Sequence, residues 1–311
     1  MECPKIRAGS AQKAPVAVAA LLRPPPPILS RFETVGPAPP YYGLGFYPES
    51  ATQDTAPVAM APIPPNPNPS WPLPKFNLTI HDIDHEGVEV FLNAVRPKDV
   101  LRQAVLASYQ WLYTEECPPQ LIQELHLILR AMPGVAHATG SSTHKQIHFS
   151  LDYIKRIPKD RVAHEITGVL IHEAVHCFQF NAQGTCPGGL VEGIADFVRL
   201  KADYAPPHWK PHTTNREWDA GYDTTAYFLA WIESRYGEGT IRELNHCMKD
   251  RKYHRRMFKE LTGRPVRKLW ALYCASMNSG GGEGKEGNSE DEDEDEYDVI
   301  DSPQEPIVKS N

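Results

Sequence analysis

The densest piece of chemistry in the sequence is His172-Glu173-Ala174-Val175-His176. On a helix, residues four apart lie on one face, so His172 and His176 can turn two imidazole nitrogens toward one zinc ion, at about 2.0–2.1 Å. Glu173 is rotated by about 100° from His172, which sets it beside the metal rather than on it. From there its carboxylate can take a proton from water whose pKa zinc lowers toward about 7. Alone the pattern is thin, since chance supplies it at roughly a few per cent in a chain of this length and histidine content. A catalytic zinc takes three protein ligands and keeps one position for water, so a third ligand is the test.

The next helical segment, Gly188 to Arg199, provides one, with Glu192 and Asp196 a turn apart on one face. Asn181-Ala182-Gln183-Gly184-Thr185-Cys186-Pro187 reads as the loop that returns the chain. Glu192 is the expected third ligand. Asp196 is expected to accept the remaining ring N–H of a zinc histidine, fixing its tautomer and raising its basicity. His164-Glu165 imitates the same motif but fails, because Gly168 stands where the second histidine is needed. Gly168 itself either clears room for substrate or lets another helix pack closely.

The elements that must position these residues are legible in the hydrophobic periods. Val162, Ile166, Val169, Leu170 and Ala174 form the apolar stripe of the histidine helix. Phe76 to Ile80 alternates like a strand, as do Leu125-Leu127-Leu129 and Ile147-Phe149-Leu151, the last two separated by a Gly- and Ser-rich turn region. The strand around Ile147 to Leu151 is expected to edge the cleft, where an extended peptide would add by backbone hydrogen bonds. Pro97 to Tyr113 has helical spacing with proline in its first turn. From Pro158 the pattern is helical almost to Asn278. Strands first and helices after them predict an α+β fold. His126, His144 and His148 fall in the strand region and read as surface residues.

Gly168-Val169-Leu170-Ile171-His172-Glu173 and Pro187-Gly188-Gly189-Leu190-Val191-Glu192-Gly193-Ile194-Ala195-Asp196-Phe197-Val198-Arg199-Leu200-Lys201-Ala202 together resemble the plant basic secretory protein family. So do Ala205-Pro206-Pro207-His208-Trp209 and Trp218-Asp219-Ala220-Gly221-Tyr222-Asp223-Thr224-Thr225-Ala226. The resemblance covers most of residues 76 to 275. It implies a zinc peptidase of the gluzincin type, a zincin-like fold, with His172, His176 and Glu192 on Zn2+ and Glu173 as catalytic base. Asp196 would be the partner of His172. The shared motif also contains Tyr222, at the expected start of a helix, a candidate donor to the tetrahedral oxyanion of peptide hydrolysis; His208 and His212 are weaker candidates. The functional expectation is peptide or protein hydrolysis, the alternative a zinc-binding pseudoenzyme or a non-enzymatic scaffold.

Composition divides the chain in three. Residues 1–74 are rich in proline and alanine and predict a solvated, extended segment. Residues 75–278 carry the periodic patterns and predict the peptidase-like domain. Residues 279–311 run from glycines into Glu290-Asp291-Glu292-Asp293-Glu294-Asp295-Glu296, which cannot bury apolar surface and predicts disorder. A formal net charge of −7 gives no reason to expect nucleic acid as a partner, and no apolar run approaches the roughly 20 residues of a membrane span. Ala14 to Leu22 only loosely imitates a signal peptide, so a cytoplasmic location is favoured, with secretion as the alternative. The six cysteines form no CxxC pair, which favours free thiols; Cys177 and Cys186 are the pair to test. The basic stretch 249–268 could receive the acidic tail within the same molecule. If it does, deleting residues 279–311 should alter the salt dependence of activity, whereas superimposable salt curves would exclude the contact.

Overall fold

A computed structural model describes residues 71–211 and 216–278. Strand β1 (Lys75–Ile80) is followed by helices α1 (Glu86–Ala94) and α2 (Pro97–Leu112), then β2 (Glu124–Arg130), β3 (Ala136–Gly140) and β4 (His144–Ser150). The rest is helical: α3 (Leu151–Ile154), α4 (Val162–Phe178), α5 (Gly188–Lys201), α6 (Tyr222–Tyr236), α7 (Thr240–Cys247), α8 (Arg256–Thr262) and α9 (Val266–Asn278). This is an α+β architecture. None of the helices searched among the described residues is long and apolar enough to cross a membrane.

The strands form one sheet in the order β1-β2-β4-β3. β1 and β2 are parallel, as are β2 and β4, while β3 runs antiparallel to β4. A parallel pair needs a crossover, and α1 and α2 supply it between β1 and β2. α2 is the helix that the spacing of Pro97 to Tyr113 predicts, and with α1 it sets helices among the strands as well as after them. The alternation in β2 and β4 sorts the two faces as expected: Leu125, Leu127, Leu129, Ile147 and Phe149 are all fully buried in the core. His126 and His148, on the alternate positions, face the other side and are half-buried, and His144 is exposed.

Two expectations change here. The strand containing Ile147 is paired on both sides, by β2 and by β3, so it cannot edge a cleft. Its pairing ends at Ser150, whose hydroxyl accepts from the Tyr153 N–H and caps α3, so Leu151 opens a helix. The free edge on that side belongs to β3. The turn between them depends on Gly140, at φ +123, where an added Cβ would meet the His144 carbonyl oxygen at 2.2 Å.

Helix α4 is enclosed by other elements on several sides. It packs on β3 and β4, and on α1, α2 and α5. Ile166, Leu170, Ile171, Ala174, Val175 and Phe178 are fully buried, so apolar residues surround it and its amphipathicity is weak. It is clamped to α5 by a buried ion pair. Arg199 Nη2 donates to Glu165 Oε1 at 3.1 Å, the Tyr153 hydroxyl donates to the same oxygen at 2.8 Å, and Arg199 Nε donates to the Tyr204 carbonyl at 2.9 Å. Burial pushes the Glu165 carboxyl up, but the Arg199 guanidinium and the Tyr153 hydroxyl outweigh it and hold the group below its ordinary value.

That clamp explains Gly168. A Cβ there would sit 2.6 Å from Arg199 Nε and 2.8 Å from the Tyr204 carbonyl oxygen. The glycine makes room for the arginine, not for substrate. Alanine would gain about 1 kcal/mol of helix propensity, yet overpacking a site walled by backbone costs about 1–3 kcal/mol. Gly168→Ala should therefore lower the melting temperature, by roughly 2–4 °C per kcal/mol in a domain of this size. An unchanged or higher Tm would show that Arg199 can give way.

Candidate metal centre

His172 and His176 project from α4 one turn apart, their rings nearly perpendicular at 88° with centroids 4.6 Å apart. Their Nε2 atoms converge to 3.0 Å. From α5, Glu192 brings Oε2 to 3.2 Å from the first and 3.6 Å from the second. One ligand atom from each of these three residues lies within 4.8 Å of the other two, and among the described residues no other group of His, Cys, Asp and Glu side chains does the same. Two imidazole nitrogens and a carboxylate oxygen aimed at one point are a donor set that fits a divalent cation.

Behind the ligands, Asp196 on α5 is almost fully buried, and its Oδ1 lies 2.6 Å from His172 Nδ1. Glu192 and Asp196, a turn apart, thus address the two nitrogens of one ring. Burial works against the charged form of His172, but the hydrogen bonds to Asp196 and Glu192 overcome it and push its pKa up to about 10. Glu192 is also disfavoured by burial, and the two histidines nevertheless hold it well below the carboxylate range. Both shifts report one property: the cluster strongly favours positive charge between its members.

Glu173 lies where the helix rotation puts it, beside the cluster. It is buried, and its Oε2 has no hydrogen-bond partner among the described residues. Burial pushes its carboxyl above the ordinary value. A buried carboxylate oxygen without a protein partner is costly to keep in a fold, and a role in proton transfer is one reason to keep it.

Tyr222 reaches the same place from the start of α6. Its ring lies parallel to that of His172, with centroids 6.4 Å apart and 7° between the planes. Its backbone is left-handed, at φ +50, directly after Gly221 at φ +87. A left-handed aromatic residue is strained and persists only where neighbours enforce it. Here Thr225 does so, accepting from the Gly221 N–H at 2.9 Å and donating to the Trp218 carbonyl at 2.9 Å. Close contact of α5 with this turn requires Gly189, where a Cβ would sit 1.7 Å from the Asp219 carbonyl oxygen. Burial, and then the negative charges of Glu192, Asp196 and Glu173, raise the phenol pKa, so Tyr222 stays a neutral donor.

The remaining sequence candidates lie elsewhere. His208 is exposed after α5, and His212 lies outside the described residues. His164 faces Arg161 and the Asp203 carbonyl, a packing role. Cys177 is buried and Cys186 half-buried, and both are free thiols. The residue that sequence reasoning missed is Gln179, whose Nε2 lies 2.8 Å from His176 Nδ1. The available signal was its spacing, three residues beyond His176 on one helix face.

A family model described as a peptidase of plants and bacteria matches residues 73–273, well over half of the chain. The chain belongs to that family. No curated protein and no solved structure matches it. The span that matches this peptidase family begins just before β1, ends within α9 and contains every residue of the cluster, Tyr222 and Gln179 included.

Proposed function

We propose that the chain is a zinc-dependent peptidase of the gluzincin type, an endopeptidase that cleaves peptide or protein substrates with water as nucleophile. The observation that carries this reading is the convergence of His172, His176 and Glu192, in a member of a peptidase family. Magnesium and calcium prefer all-oxygen sites, whereas imidazole with one carboxylate suits zinc and leaves a position open for water. When bound, zinc polarises a carbonyl oxygen and makes water acidic enough to react near neutral pH.

The protein's own residues supply the rest. Asp196 accepts the Nδ1–H of His172, which leaves the Nε2 lone pair facing the centre. Glu173, with an unpartnered and buried Oε2, accepts a proton from the attacking water and passes it to the departing amine nitrogen. The Tyr222 phenol, neutral and half-exposed beside His172, donates to the oxygen that gains charge at the tetrahedral carbon.

Two substitutions test these roles, with a denatured protein as substrate. Glu173→Gln should lower turnover by at least about 10²–10⁴-fold while metal analysis still finds one zinc per chain; retained cleavage would remove Glu173 as the base. Tyr222→Phe should lower kcat by about 10²–10³-fold with zinc retained. An unchanged kcat would leave Tyr222 a packing residue.

A further inference from the structure

The two histidines are supported in different ways. His172 Nδ1 faces a carboxylate, Asp196, which can only accept from the ring N–H. His176 Nδ1 faces the carboxamide of Gln179, which can donate through its nitrogen or accept through its oxygen. Gln179 is the residue at which α4 ends: its backbone turns to φ −57, ψ 148 while its N–H still reaches the Val175 carbonyl. The side chain folds back toward the helix and is buried, with Nε2 at 2.8 Å from the ring and Oε1 without a hydrogen-bond partner among the described residues.

The contact sets the carboxamide against Nδ1, where its oxygen can accept a ring proton or its nitrogen can donate to a ring lone pair. A cation at the centre requires the tautomer with the lone pair on Nε2 and the proton on Nδ1. An amide N–H aimed at a ring N–H would repel it. A half-turn about the terminal torsion exchanges amide nitrogen and oxygen without changing the shape of the side chain. The protonation of His176 Nδ1 therefore decides which amide atom can face the ring.

We propose that Gln179 is the positioning residue for His176, its carboxamide oxygen accepting the Nδ1–H when the metal is bound. Asp196 makes the corresponding contact at Nδ1 of His172. This rests on the metal centre proposed above.

The test is zinc affinity of the full-length chain, measured by competition with a chromophoric chelator for wild type, Gln179→Leu and Gln179→Glu. Leucine keeps the bulk and removes the acceptor, so affinity should fall about 10–100-fold. Glutamate, an acceptor, should stay within a few-fold of wild type. Histidine-labelled ¹⁵N spectra of zinc-loaded wild type should show His176 protonated at Nδ1, and far-UV circular dichroism of the metal-stripped variants checks that each is folded. Equal affinity for Gln179→Leu and wild type would overturn the role of Gln179 and leave the metal centre standing. So would a Gln179→Glu variant as weak as the leucine one, since the loss would then come from packing. Wild type that binds no zinc would overturn the metal centre itself.

Discussion

One carboxylate, Glu192, must reach across from α5 to meet two imidazoles on α4, and the separation of those helices decides whether it can. Contacts of 3.2 and 3.6 Å tolerate little drift. The separation is held about two turns away from the ligands, by the Glu165–Arg199 pair. A buried ion pair is a weak source of net stability, because desolvating both charges offsets most of their attraction. Its value here is geometric. Arg199 is bonded at once to Glu165, to the Tyr204 carbonyl and, through its face, to Trp209 at 5.2 Å, so α5 cannot slide along α4 without leaving a buried charge unpaired. The same arginine is the reason a glycine stands in the middle of an otherwise well-filled helix.

Electrostatics then follow from the approach. Three carboxylates, Glu173, Glu192 and Asp196, surround two histidines in a half-buried space. Left to themselves they gather protons: His172 is held charged, and Glu173 is driven toward its neutral form. A dication satisfies the cluster with fewer compromises, since it binds both imidazoles neutral and Glu192 ionised. The affinity for positive charge and the orphaned oxygen of Glu173 are thus two aspects of one arrangement. Carboxylates too numerous for a stable apolar wall are arranged around a point that nitrogen and oxygen lone pairs share.

Much of this was legible in the residues, and the exceptions share a cause. The helix period placed His172 and His176 on one face and Glu192 and Asp196 on another. The strand alternation placed Leu125, Leu127, Leu129, Ile147 and Phe149 in the core. Alternation carries no information about strand direction or order, however, so it could not reveal that β4 lies inside the sheet. β3, written Ala-His-Ala-Thr-Gly, has side chains too small to mark a strand, and pairing with β4 alone makes it one. α1 is short and buries only Gly87, Val88 and Phe91, too few for a period to register. Glu165 and Arg199 look like solvated helix charges in the sequence, and only the fold brings them together.

Gln179 and Tyr222 mark the deeper limit. Both reach the site because the backbone leaves regular structure at that residue: one at the last turn of α4, the other in a left-handed conformation at the first turn of α6. Periodicity describes residues inside elements and falls silent at their ends, where the angle of departure is set by tertiary contacts. For Tyr222 those contacts are Thr225 and the glycine-lined approach of α5, so the helix that brings Glu192 to the histidines also fixes the turn that presents the phenol. Ligand, base, donor and support are therefore not independent acquisitions of this fold. They depend on a single close packing of α4, α5 and the start of α6, and a change that separates those helices should disturb all of them together.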